Sequence, residues 1–75
     1  MTLRTAEVGR TYLVDRIETG DADLEAFLFS LGLYSGEPVT LMLKRRGAVI
    51  LSIKDGRYCF DNNLAGAVFL CEMDG

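Results

Sequence analysis

The residues of this chain best equipped for chemistry are two cysteines, Cys59 and Cys71, and an acidic group, Glu18, Asp21, Asp23 and Glu25. There is no histidine, so the side chain that most often moves protons near neutral pH is missing. The cysteines have eleven residues between them, against the roughly two to four of a zinc-binding pair. Neighbouring strands would have to bring them together before they held a soft divalent ion. Otherwise they serve as small apolar residues, buried or half-buried. The acidic group suits a hard cation such as Mg²⁺, but helix capping and solvation account for it better. Ser30 and Ser52 fall inside a helix and a strand, with no base beside them to make a nucleophile. No phosphate-binding or dinucleotide-binding glycine motif is present. The reading is of a chain that is not an enzyme and takes no cofactor.

An interaction module remains. Seventy-five residues make one domain, taken as 1–75, with 49% apolar residues for a core and 25% charged. The net charge of −3 repels a phosphate backbone, so nucleic acid is a poor partner. Lys44-Arg45-Arg46 is the one basic run, and a solvated hairpin end explains it. Neither a signal peptide nor an apolar run of about 20 residues occurs. The expected setting is therefore cytoplasmic, with reduced thiols and no membrane insertion.

The elements follow from periodicity and turn chemistry. Thr11 to Ile17 reads as a strand, with Leu13 and Ile17 on one face and Tyr12 and Val14 on the other. Asp21 or Asp23 caps a helix whose apolar face is Leu24, Phe27, Leu28 and Leu31. Gly32 stops that helix in a left-handed conformation, and Leu33 packs back onto it in a Schellman motif. Tyr34-Ser35-Gly36 turns the chain into a strand opening at Pro38, in which Val39, Leu41 and Leu43 alternate with polar positions. A third strand follows the turn at Arg46-Gly47, and Asp55-Gly56 marks a hairpin into a fourth. Asp61-Asn62-Asn63 caps one helical turn before a fifth strand, Ala67 to Glu72. Five short strands in so short a chain favour a small mainly β barrel, with the helix between strands one and two closing one end.

This order resembles the FeoA family of ferrous iron transport proteins. Three stretches carry the likeness: the arm ending Glu7-Val8-Gly9; the run Leu31-Gly32-Leu33-Tyr34-Ser35-Gly36-Glu37-Pro38-Val39; and the ending from Phe60 to Leu70 around Ala65. Ser35 stands where the family favours proline. Phe27 and Phe29 replace arginine-rich text, and Asp61-Asn62-Asn63 replaces a basic stretch. The resemblance implies a five-stranded SH3-like barrel with one α-helix between strands one and two and a short helical turn before the last strand. It also implies a regulatory or assembly role in ferrous iron uptake, acting with FeoB, a membrane permease with a cytoplasmic GTP-binding part. The same domain ends some metal-dependent repressors, so the alternative is a freestanding domain that associates with a transcription regulator.

Partner contact is expected from the aromatic residues not committed to the core: Tyr12, Phe29, Tyr34 and Tyr58, together with Ser35 beside Tyr34. Phe29 is out of phase with the apolar helix face, so it is expected at the surface next to Tyr34, as a patch for a partner or for a homodimer.

Overall fold

The computed structural model describes residues 1–73. The chain runs β1 (Thr11–Ile17), α1 (Ala22–Leu31), β2 (Pro38–Arg45), β3 (Ala48–Ile53), β4 (Gly56–Asp61), α2 (Asn62–Ala65) and β5 (Val68–Glu72). All five strands join one antiparallel sheet in the order β4-β3-β2-β1-β5. The mainly β fold with two helices at the expected places is confirmed. No helix among the described residues is long and apolar enough to cross a membrane.

Two register shifts decide which side chains enter the core. Along β1, Val14 faces Leu70 and the next pair is Arg16 with Phe69, so Asp15 is an extra residue. Along β2, Leu41 faces Leu51 and Leu43 faces Ile50, so Met42 is extra. A bulge of this kind carries the following side chains to the opposite face. Tyr12 and Val14 therefore point inward ahead of the shift and Ile17 packs against the core after it. The expected face of Leu13 is corrected: it is half-buried, and its neighbours fill the interior. Leu43 likewise turns outward. The ring of Tyr12 is buried, and its hydroxyl accepts the backbone N–H of Glu7 at 3.0 Å.

That bond ties down the arm before β1. Thr2 bridges to Phe69; Leu3 N–H donates to Val68 O at 3.1 Å, and Leu70 N–H donates to Met1 O at 2.8 Å. The arm thus extends the sheet past β5 and drops Leu3 and Ala6 into the core.

The helix α1 starts where Asp21 accepts Leu24 N–H at 3.1 Å. It ends as a Schellman motif. Gly32 N–H donates to Phe29 O at 3.0 Å and Leu33 N–H to Leu28 O at 3.1 Å, while Leu28 and Leu33 are both buried. Gly32 has φ +108, and a Cβ there would meet Ile53 Cγ2 and Lys54 Cε at 3.1 Å. Phe27, expected on the core face, is 57% exposed. The sheet touches only the narrow stripe of Leu24, Leu28 and Leu31, and Phe27 projects about 100° to one side of Leu28.

The β3–β4 hairpin also differs in detail. Its two-residue loop is Lys54-Asp55, with Lys54 at φ 51, and Gly56 already pairs with Ile53. Gly56 leaves room in the strand for the Tyr58 ring: an added Cβ would lie 2.7 Å from Tyr58 Cζ and the ring would have to shift. Tyr58 folds over that bare stretch of backbone.

Two outcomes test these constraints. Gly32→Ala forces a side chain into left-handed backbone against Ile53 and should lower stability by about 1–3 kcal/mol, read from urea unfolding. Glu25 accepts both the backbone N–H and the hydroxyl of Thr19, each at 2.8 Å, and these bonds hold its carboxyl below the ordinary 4.5. A depressed folded value stabilises above the unfolded one and is lost as pH falls through the folded one. Glu25→Gln should therefore unfold earlier than the wild type at pH 7, and the two midpoints should converge as the pH drops below 4.5.

Candidate functional site

The helix end that buries Leu33 sends Tyr34 the other way. The rings of Phe29 and Tyr34 meet with centroids 4.8 Å apart and planes tilted by 40°. Phe29 is 62% exposed, Tyr34 is half-buried and Ser35 is exposed beside it. Aromatic pairs at this spacing gain roughly 0.5–1.5 kcal/mol beyond the area they bury. Here the pair keeps one large apolar ring in water.

The hairpin loop between β3 and β4 reaches over to hold this pair. Lys54 Nζ lies 5.4 Å from the Tyr34 ring centre and 2.6 Å from Glu37 Oε1. Hydrogen bonding to Glu37, then to Tyr34, raises the Lys54 ammonium above its ordinary value. The site is thus a row of contacts, Phe29 to Tyr34 to Lys54 to Glu37. It is built from the end of α1, the turn into β2 and the hairpin. Such a surface offers apolar ring area next to one anchored cation and carries no group poised for covalent chemistry.

Of the five residues expected at a contact surface, the structure brings three together: Phe29, Tyr34 and Ser35. Tyr12 is corrected: it is 1% exposed, because it shares the inward face of β1 with Val14 ahead of the shift at Asp15, and it offers no surface. Tyr58 is half-buried over Gly56. Lys54 and Glu37 were missed. The sequence places Lys54 in an alternating strand, and only the hairpin geometry lays it on a ring twenty positions earlier. Phe27 leaves α1 on the flank opposite Phe29, so the two phenylalanines do not form one patch.

The cysteines also depart from expectation. Both are exposed thiols, Cys59 on β4 and Cys71 on β5, at opposite ends of the strand order. Cys71 donates weakly to Leu13 O at 3.7 Å. Among the described residues no three His, Cys, Asp or Glu side chains converge as a metal site would require. An open cleft of about 390 Å³ separates the β1–α1 turn from α2, with Glu18, Asp61, Leu24 and Leu64 among its walls and no cationic group. Lys44, Arg45 and Arg46 are exposed at the β2–β3 hairpin and make no ion pair among the described residues.

Comparison with known proteins places this geometry. A manganese-dependent transcriptional repressor superposes with a TM-score of 0.86 at 19% identity, covering 97% of this chain and 41% of that one. The chain thus spans less than half of that repressor's length. An iron uptake regulatory protein, FeoA, superposes with a TM-score of 0.79 at 24% identity, covering 97% of this chain and 99% of that one. FeoA of Stenotrophomonas maltophilia, solved with zinc and described as a prokaryotic SH3 domain protein, gives 0.81 at 20% identity, covering 93% and 88%. At these identities the likeness is one of fold, and that fold is SH3-like. No protein with a curated description matches the chain. The FeoA domain family model matches residues 1–70. The arm, the barrel, the capped helix and most of the last strand lie inside that match, and the chain belongs to the FeoA domain family.

Proposed function

We propose that this chain is a cytoplasmic accessory protein of ferrous iron uptake, and that it works by binding the cytoplasmic part of a FeoB-type permease. Membership of the FeoA domain family supports the iron-transport role. The observation that favours a binding role is the exposed Phe29 ring packed on Tyr34, whose own ring lies beside a lysine fixed to Glu37. A large exposed ring that is already immobilised loses little side-chain entropy when a partner covers it. On this reading the chain catalyses nothing; it presents a rigid aromatic contact and alters its partner by occupying it. The repressor superposition favours a second reading, in which the domain associates with a metal-dependent transcription regulator.

Titrating the ¹⁵N-labelled protein with the cytoplasmic domain of the permease, with and without guanine nucleotide, tests the first reading. Amide shifts should cluster at Phe29, Tyr34, Ser35 and Lys54. Phe29→Ala should weaken binding by about tenfold, as expected of an aromatic anchor. An absence of shifts at high permease concentration, with shifts at the same residues on adding a metal-dependent regulator, would replace the first reading by the second.

A further inference from the structure

The strand β4 is an uncovered sheet edge, and its hydrogen-bonding phase is fixed from both ends. At one end Asn62 N–H donates to Gly47 O at 3.1 Å. At the other, the two-residue loop closes on the pair Ile53 and Gly56. In an antiparallel ladder bonded and non-bonded pairs alternate. The bonded pairs are therefore Val49 with Phe60, Leu51 with Tyr58 and Ile53 with Gly56. Arg57 and Cys59 turn their N–H and C=O groups away from β3, while Asp61 begins the cap of α2. Among the described residues, no backbone group outside the sheet ladder reaches the N–H or C=O of Arg57 or Cys59. The opposite edge is different, because the N-terminal arm bonds to β5.

Open edges are usually guarded by proline, by a bulge or by repelling charge. The ladder from Gly56 to Asp61 runs without a register shift, and the strand has no proline. Its two charges have opposite sign and lie two residues either side of Cys59, in the order Arg57-Tyr58-Cys59-Phe60-Asp61. Arg57, Cys59 and Asp61 are exposed and share the outer face, and neither Arg57 nor Asp61 makes an ion pair among the described residues.

We propose that β4 pairs antiparallel with β4 of a second copy of this chain, about a two-fold axis at Cys59. In that register the two Cys59 residues exchange backbone hydrogen bonds. Each Arg57 stands opposite Asp61 of the second copy, so one residue type answers the other twice, as a two-fold contact requires. Cys59 lies beside the half-buried Ile50, and the pairing brings two such apolar spots together between the two ion pairs. The surface lies on a different element from the Phe29–Tyr34 pair, so the proposal stands or falls independently of the permease reading.

Sedimentation of the full chain over rising concentration tests it. The wild type should associate to a dimer, and Arg57→Asp, which sets like charges opposite each other, should weaken the dimer by about tenfold. Cys59→Pro removes an N–H that β3 does not use and should abolish pairing with little change in far-UV circular dichroism. Directly opposed residues of a bonded pair have Cα atoms about 5.5 Å apart, within reach of a disulfide. Diamide, which takes two protons and two electrons from a pair of thiols and is reduced to its hydrazine, should link wild type and Cys71→Ser into a dimer but not Cys59→Ser. A chain that stays monomeric up to about 1 mM, a dimer indifferent to Arg57→Asp, or cross-linking through Cys71 would overturn the proposal. Should Cys59→Pro fail to fold, Arg57→Asp and the thiol cross-link decide.

Discussion

The left-handed turn at Gly32 is the constraint on which the rest of the surface depends. A residue with a Cβ would push against Ile53 and Lys54, so only glycine lets the helix end this close to the sheet. Because the helix ends there, Leu33 closes the core and Tyr34 is directed outward. Because β3 runs beneath the same glycine, Lys54 at its end falls on the Tyr34 ring. One backbone angle thereby couples the seal of the barrel to the shape of its candidate contact face.

That coupling suits a protein whose action is binding. The row from Phe29 to Glu37 is built from three separate pieces of chain, and each is pinned by a bond to another. The ion pair between Lys54 and Glu37 is itself of small energetic weight at a surface. Its value lies in fixing the direction of a cation and the lean of a ring. The interior, by contrast, holds no polar or charged residue among those described, so the core specifies the fold without offering any chemistry.

Much of this was legible in the sequence because the signals were local. Asp21 and Asp61 cap the two helices, Gly32 and Leu33 form the Schellman end, and Gly36 turns the chain at φ 90 before Pro38. The strand count and the exposure of Phe29 follow from periodicity. What escaped were the bulges at Asp15 and Met42. A bulge needs no particular residue type, yet it reverses the side-chain phase, and strict alternation then misplaces Tyr12, Leu13 and Leu43. The contact between Lys54 and Tyr34 escaped for another reason. It depends on how a hairpin and a helix end approach each other across the fold, which no short window of sequence contains. The thiols misled because cysteine is so often buried, while here each sits on an outer strand face.

The arm that bonds to β5 has a further consequence, for the order of assembly. Its partners lie some 65 positions later, Leu3 with Val68 and Met1 with Leu70, and β1 also finds one of its two neighbours only in β5. The arm therefore waits for β5 before it can be sealed. Until then Leu3, Tyr12 and Val14 have no complete interior to enter. Such non-local closure slows folding. A nascent chain would hold its meander of β2, β3 and β4 early, and gain the cooperative barrel only once β5 is available.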